Sequence, residues 1–234
     1  MNEYEDINIK FQGVRLETSY SVNYLGVHID KNLSWDYHVK ELSKKLSRTN
    51  GILSKLRHYV PLNSMLSVYY ALFYSHMTYG SLIWSLTTHK NLNIILILQK
   101  KCIRILNSVL FNEHTNLLFY NNKIIKFPDV VKTNQLLFVN QFINKNLPDD
   151  LNNLFTFSTN IHNHVTRSSK NSGLFIPNVS STNFGLYSLK YVAPCVWNDF
   201  SRVHPEISRF NNIKTFKKYI INFFIEQNIK VKNK

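Results

Sequence analysis

Apolar residues recur at two different periods along the chain, which predicts strands first and helices after them. Residues 7–16 alternate between apolar and polar side chains, and Gly13 offers a turn in the middle of the run. Residues 24–30, of sequence YLGVHID, predict a further short strand that ends in the turn Asp30-Lys31-Asn32. So small a sheet is marginal alone, and we expect it to pack on another element.

Beyond Trp35 the apolar residues recur at alternating steps of three and four, which predicts one amphipathic helix. Ser34 is placed to cap this helix, and Pro61 is placed to end it. At about 100° per residue, the face opposite the apolar stripe is cationic. The stripe comprises Val39, Leu42, Leu46, Thr49, Leu53, Leu56 and Val60, and the cationic face comprises Lys40, Lys44, Arg48 and Lys55, with Lys45 at its edge.

Three more helices are predicted in the first two thirds of the chain. Residues 64–84 are apolar nearly all round a helix, which favours a place in the middle of a bundle. A helix over 91–107 carries cations near its C-terminal end, where they suit the helix dipole: Lys100, Lys101 and Arg104. Pro128 and Asp129 mark the start of a helix over 130–144.

The last third of the chain has a different composition. Residues 147–202 are rich in Asn, Ser and Thr and contain scattered Gly and Pro, which predicts irregular structure with short strands over 174–176 and 187–192. An amphipathic helix is expected from Ile207 to Phe223. The predicted fold is therefore mainly α, with N-terminal strands over 1–34, a helical bundle over 35–146, and an irregular region with a terminal helix over 147–234.

The net charge of the chain indicates what kind of partner it binds. The chain has 234 residues with 28 Lys+Arg against 14 Asp+Glu, a formal net charge of +14, which indicates an anionic partner. Its apolar fraction of 44% is too high for a disordered basic tail. Nucleic acid is favoured over an acidic membrane, because the stripe opposite the lysines is predicted core. The alternative is that the charged face is merely solvated surface.

Localisation is expected to be intracellular, in the nucleus or the cytoplasm. Cys102 and Cys195 are too few and too far apart for a disulfide framework or a zinc site. The N-terminus lacks the basic start and apolar stretch of a signal peptide. The longest wholly apolar run, residues 94–98, is far short of the roughly 20 residues that span a bilayer. We therefore expect no membrane partner.

Two groups of residues invite a catalytic interpretation, and the pattern favours neither. His162 and His164 lie near Arg167 without a further ligand at a recognisable spacing, so a hydrogen-bonding or phosphate-contacting role outweighs a metal-dependent nuclease. Asp149-Asp150 is an acidic pair of the kind that polymerases use to hold metals, but it follows Pro148, where aspartates usually cap and turn. Cys102 and the tryptophans at 35, 84 and 197 are predicted core. The residues thus predict a binding protein with no catalytic residue, metal or cofactor of its own.

Several short motifs occur in a recognisable order. Tyr24–Asp30 with Leu33, Trp35 and His38 resembles Y-L-G-V-x-I-D-x-x-L-x-W-x-x-H, and Gln99–Arg104 resembles Q-K-K-A-I-R. His162–Ser168 resembles H-x-Y-x-T-R-S, with Val165 departing from it, and Ala193–Asn198 resembles G-P-x-x-W-N, with Ala193 in place of glycine. Between them lie Gly51-Ile52-Leu53, Leu56-Arg57, Tyr69-Tyr70, Tyr79-Gly80 and Trp84. From about Ile7 to Phe224 the chain resembles the region that follows the palm in reverse transcriptases of jockey-type non-LTR retrotransposons.

The resemblance implies a role beside a polymerase active site. The turn at Tyr24, Leu25 and Gly26 would act as a primer grip, and the helix after Trp35 would be the thumb. The thumb would lie along an RNA–DNA hybrid or RNA and contact phosphates rather than bases, with Lys100, Lys101 and Arg104 extending the track. The alternative is a non-catalytic helical interaction module, or a degenerate relic without a nucleic-acid role.

The same resemblance places the chemistry outside this sequence. The palm with its catalytic aspartates and divalent metals, and any endonuclease domain, would precede residue 1, and the exposed N-terminal strands could associate with another chain. We therefore expect the purified chain alone to incorporate no deoxynucleotide into a primed template. A primer-extension assay checks this, and incorporation by the chain would contradict it.

Overall fold

The fold is mainly α-helical, with two small antiparallel strand pairs at its N-terminal end, as the sequence predicts. A computed structural model describes residues 9–161, 173–180 and 182–230. Strand β1 (Lys10–Phe11) pairs with β2 (Val14–Arg15), and β3 (Ser21–Tyr24) pairs with β4 (Val27–Asp30). Residues 24–30 are therefore not one strand, because Leu25 and Gly26 form the turn of a hairpin with φ of 49° and 82°.

The helices follow one another from residue 36 onward. They are α1 (Asp36–Leu56), α2 (Leu62–Val68), α3 (Ser75–Thr78), α4 (Ser81–Trp84), α5 (His89–Leu106), α6 (Asn116–Asn121), α7 (Phe127–Ile143), α8 (Leu189–Val203) and α9 (Ile213–Lys230). Short 3₁₀ turns lie at Asp149–Leu151, Ser158–Asn160 and Pro205–Arg209, and a π turn at Thr182–Leu186. No helix in these ranges is long and apolar enough to cross a membrane.

Helix α1 confirms the predicted stripe but not its predicted ends. Its buried side chains include Val39, Leu42, Leu46, Thr49 and Leu53. The residue that precedes the helix is Trp35, with a left-handed φ of 66°, rather than Ser34. The helix ends at Leu56, before Pro61 is reached. The residues that lead into the helix are held by the side chain of Asp30 from the hairpin, a contact that the sequence pattern does not reveal.

The segment over residues 62–78 is continuous and has one buried face, so the predicted position in the middle of a bundle is wrong. A π-helical turn, Tyr69–Tyr74, joins α2 to α3. Its buried residues recur every four positions: Met65, Tyr69, Phe73 and Met77. An α-helix has about 3.6 residues per turn, so a stripe with a spacing of four would gradually rotate around the helix. The π-helical turn contains more residues per turn and therefore keeps these four side chains on one face. Gly80, with a φ of 63°, then breaks the helix before α4.

Helices α5 and α7 form the centre of the structure. The buried side chain of Gln99 on α5 donates to Tyr69 Oη at 3.1 Å and to the Ile125 carbonyl at 3.0 Å, and it accepts from Phe127 N at 2.7 Å. The ring of Trp84 stacks on Phe127 at 5.5 Å. One amide thus ties the π turn, α5 and the start of α7 together.

The C-terminal third contains a helix that the sequence pattern hides. Residues 189–203 form α8, with Pro194 inside it, so the predicted irregular segment and the strand over 187–192 are wrong there. Near 174–176 the structure has only a single bridge, Phe157 to Leu174. The predicted terminal helix exists as α9, which buries Phe216, Ile220 and Phe224, but its predicted start is wrong, because Ile207 lies in the separate 3₁₀ turn and α9 begins at Ile213. Helices α8 and α9 pack on α7 and share its core.

Candidate nucleic-acid interface

The cationic residues predicted on α1 all lie at the surface. Lys40, Lys44, Arg48 and Lys55 are exposed on the side opposite the buried stripe, and Lys45 is exposed between that side and the hairpin. At about 1.5 Å of rise per residue, the span from Lys40 to Lys55 is about 22 Å. That length matches about six base pairs of duplex, at about 3.4 Å of axis each. We call Lys40, Lys44, Arg48 and Lys55 the basic face.

Acidic groups neutralise little of the basic face. Glu41 accepts a hydrogen bond from Lys44 at 2.7 Å, and this contact lowers the pKa of Glu41. Exposed pairs of this kind contribute little to stability, and water or a phosphate readily replaces one partner. Gly51 lies on the same outer side of α1, between Arg48 and Lys55, with open space where a Cβ would stand. At Gly51, therefore, no side chain projects from the basic face.

The cations of α5 differ in their availability. Lys101 is exposed, Lys100 is partly buried, and Arg104 donates from Nε to the Glu113 carbonyl at 2.8 Å. All three lie on the side of α5 away from the buried Ile95, Gln99 and Cys102. Arg104 is engaged in holding the loop after α5, so Lys100 and Lys101 are the better candidates for phosphate contacts.

The predicted primer-grip residues form the exposed tip of the β3–β4 hairpin. Tyr24 and Leu25 are 64% and 72% exposed, and the N–H of Gly26 donates to Asn23 Oδ1 at 3.0 Å. The hydroxyl of Tyr79 donates to the Leu25 carbonyl at 2.8 Å, which fastens the tip to the end of α3. The tip is thus fixed in position while its side chains remain open to a partner.

A buried carboxylate joins the hairpin to α1. Asp30 ends β4, is 3% exposed, and accepts hydrogen bonds from the N–H groups of Asn32, Ser34 and Trp35 and from the Ser34 hydroxyl. Burial alone would raise the pKa of Asp30, but these bonds favour the carboxylate and together lower that pKa below its usual value. The conformation before α1 therefore depends on this one side chain.

A histidine on α1 makes a second connection to the hairpin. His38 is 6% exposed, and its Nδ1 accepts from the backbone N–H of His28 at 3.3 Å. Burial of the ring, with smaller contributions from His28 and Lys45, lowers the pKa of His38 to about 4. The imidazole is therefore neutral at pH 7 and carries its hydrogen on Nε2.

The structure describes only some of the residues considered for catalysis. His162, His164 and Arg167 lie outside the described residues. Asp149 and Asp150 form a 3₁₀ turn in which Asp149 accepts from the Asn152 amide, as predicted for a turn. No group of three or more His, Cys, Asp or Glu within the described ranges could hold a metal ion. Cys102, Trp35, Trp84 and Trp197 are buried, as expected of core residues.

Several motif residues have structural roles that the sequence analysis did not assign. Gln99 forms the buried amide contacts of the centre. Asn198 accepts from Leu174 N at 2.9 Å and donates to the Leu174 carbonyl at 2.7 Å, so it binds a neighbouring extended segment as a second strand would. A buried polar side chain inside an apolar helix pattern is the signal that would have identified Gln99.

Comparison with known proteins returned no relative. No family model matches the chain, and neither a curated protein nor a solved structure does so.

Proposed function

We propose that the chain is the thumb and C-terminal region of a reverse transcriptase of the jockey-type non-LTR class, and that it binds the template–primer duplex through the basic face of α1. The observation that carries the proposal is the exposed basic face itself. It is rigid, because the opposite side of the same helix is buried in the core. A row of exposed Lys and Arg side chains along one helix suits a phosphate backbone.

The position of the hairpin tip supports the same proposal. The hairpin tip at Tyr24, Leu25 and Gly26 stands beside the first half of α1, to which His28 and Asp30 connect it. Gly26 in the tip lines one cleft together with Glu41 and Lys45 of α1, so the tip lies next to the edge of the basic face. The proposed partner is therefore an RNA–DNA hybrid or RNA, and the divalent metals of polymerisation belong to a palm supplied elsewhere.

Neutralising the basic face tests the proposal. The variant that combines Lys40→Gln, Lys44→Gln, Arg48→Gln and Lys55→Gln is expected to bind a labelled RNA–DNA hybrid roughly 1,000-fold more weakly near 100 mM salt. The plot of log K against log salt should lose a slope of about 3.6, because each of the four lost phosphate contacts removes about 0.9 unit. Fluorescence anisotropy across a salt series measures both quantities.

A matched control removes the same charge from the other end of the chain. Arg209, Lys214, Lys217 and Lys218 are exposed, and their replacement by Gln lowers the net charge equally. The control should keep the salt slope and most of the affinity. Equal losses in both variants would mean that only total charge matters, and the basic face would then be ordinary solvated surface of a helical interaction module.

Replacing Gly51 by alanine is expected to change the stability of the chain and its affinity for the hybrid in opposite directions. Gly51→Ala should raise the free energy of unfolding by about 0.5–1 kcal/mol, because glycine is unfavourable inside a helix. The same variant should weaken hybrid binding several-fold, since the new methyl group stands where the backbone of the duplex approaches. Urea unfolding and anisotropy on one protein preparation measure the two effects. Stabilisation without loss of affinity would place the duplex away from Gly51.

A further inference from the structure

A cavity of about 760 Å³ lies between helices α5, α7 and α8. Each helix turns toward it a row of side chains spaced three or four residues apart, which is one face of a helix. Its volume lies within the roughly 300–1,000 Å³ typical of small-molecule sites, which often occur between the helices of a bundle. The rows are His89, Leu92, Asn93 and Leu96 on α5, Pro128, Val131, Lys132 and Gln135 on α7, and Val192 and Val196 on α8.

Helices α5 and α7 run antiparallel along this cavity. Gln99, late in α5, accepts from the Phe127 N–H at the start of α7. Asn134, further along α7, donates at 2.9 Å to the hydroxyl of Ser81, which precedes α5. The first turn of α5 and Gln135 therefore lie at the same end of the cavity.

This end of the cavity is cationic. Lys90, in the first turn of α5, and Lys132, one helical turn before Gln135, are both exposed at its wall. Neither lysine forms an ion pair with a described residue, and no Asp or Glu is among the described lining residues. Asp129 lies near Lys132 but does not line the cavity, and burial raises its pKa. The charge at this end therefore favours an anion.

Gln135 adds a buried hydrogen-bonding group at the same end. Its side chain is 3% exposed, and its amide makes no hydrogen bond to another described residue. The hydroxyl oxygen of Ser85, in the same wall, is sealed from solvent, whereas the Gln135 amide keeps a small accessible surface at the cavity. Leaving a buried amide unpaired is unfavourable, and a ligand oxygen that accepts from Nε2 would remove that cost.

The remaining wall is mostly aliphatic. Tyr187 supplies the one Phe, Tyr or Trp ring among the described lining residues. Such a wall suits a flexible hydrocarbon chain, whose burial the hydrophobic effect favours. The aliphatic side chains are Leu86, Leu92, Leu96, Val131, Leu186, Val192 and Val196.

We propose that this cavity binds an aliphatic carboxylate of the fatty-acid class. The hydrocarbon chain lies against Leu92, Leu96 and Val131, and the carboxylate meets the Nε2 hydrogens of Gln135 and the ammonium group of Lys132. The two oxygens of a carboxylate match these two donors, one for each. The site does not depend on the function proposed above, because the basic face of α1 contributes no residue to it.

Nuclear magnetic resonance of methyl groups in the full chain tests the site directly. Dodecanoate and dodecyltrimethylammonium, which share a chain length and differ in the sign of their charge, are titrated separately below their micelle-forming concentrations. Dodecanoate should shift the methyl signals of Leu92, Leu96 and Val131 in a saturable manner, and the cationic amphiphile should bind at least tenfold more weakly. The methyl groups of Val14 and Val22, exposed on the hairpins, report adsorption to other apolar surface.

Substitutions assign the effect to the proposed contacts. Lys132→Glu should weaken dodecanoate binding about tenfold or more, because like charges then meet at the cavity. Gln135→Leu should weaken it about fivefold, because the amide donor is lost. Lys217→Glu, with the same charge change on exposed α9, should leave binding unchanged. Val192→Trp fills the cavity from a half-buried position and should abolish binding, while circular dichroism shows that the helices are retained.

The outcomes separate this site from the basic face and from adsorption. The four-residue basic-face variant should lose hybrid binding and still bind dodecanoate as the wild-type chain does. The proposal is overturned if the signals of Leu92, Leu96 and Val131 do not shift, or if Val14 and Val22 respond equally. It is overturned as well if both amphiphiles bind equally, or if Lys132→Glu behaves like Lys217→Glu.

Discussion

Replacing Gln99 by leucine is expected to lower the free energy of unfolding by about 3–4 kcal/mol, although the two side chains are similar in size. The amide of Gln99 is fully buried and meets Tyr69 Oη, the Ile125 carbonyl and the Phe127 N–H. Leucine offers none of these contacts. The three groups would remain buried without their partner, and each unpaired group costs about 1–3 kcal/mol. Urea unfolding followed by circular dichroism measures the change.

Two further variants show whether the loss comes from the unpaired groups. Asn93→Leu makes a similar substitution at an exposed position of the same helix and should stay within about 0.5 kcal/mol of wild type. Adding Tyr69→Phe to Gln99→Leu removes one of the orphaned groups, so the double variant should be less destabilised than the sum of the two single ones. Strict additivity would mean that Gln99 and Tyr69 do not interact, contrary to the structure.

The sequence predicted the helices whose stability rests on periodic burial. The α1 stripe from Val39 to Leu53 is visible as steps of three and four, and its cationic face follows from the same geometry. The ends of α1 could not be found in this way. Ser34 has the chemistry of a cap, but the carboxylate of Asp30 takes the hydrogen bonds of that turn, because the hairpin brings it there. Local pattern does not encode that contact.

The missed helix α8 shows how tertiary burial overrides local signals. Pro194 lacks a backbone N–H and is unfavourable inside a helix, so the sequence pattern predicts no helix across this segment. In the structure, Ala193, Pro194, Trp197 and Ser201 are buried on one face of the helix, which packs on α7. The four-residue spacing of Ala193, Trp197 and Ser201 was present in the sequence. It was outweighed by the proline and by the polar residues around it.

In the candidate site, too, the local pattern predicts some residues and the tertiary structure determines others. The exposed cations of α1 were predicted because charge and periodicity suffice to place them. The role of His38 was not predicted, because it depends on the hairpin, whose backbone N–H at His28 donates to Nδ1 of His38. Contacts between residues ten positions apart, such as His28 and His38, arise only once the chain has turned back on itself.

Replacing Asp30 by asparagine is expected to lower the free energy of unfolding at pH 7 by about 2–3 kcal/mol. The amide keeps one oxygen, but its NH₂ group then faces N–H donors that the carboxylate satisfied, among them those of Ser34 and Trp35. Hydrogen bonds to an ionised acceptor are also stronger than those to an amide. Asp150→Asn, at an exposed position in a turn, makes the same chemical change and should stay within about 0.5 kcal/mol of wild type.

The pH dependence of that loss distinguishes the carboxylate from a steric effect. The pKa of Asp30 is lower in the folded chain than the usual 3.8, so ionisation stabilises the fold. This contribution is fully present well above pH 3.8 and is lost as the pH falls through the folded pKa. Urea unfolding of wild type and Asp30→Asn should therefore show a constant difference between pH 7 and about pH 5, and a smaller one near pH 3. A difference that stays constant down to pH 3 would show that shape, and not charge, makes Asp30 necessary before α1.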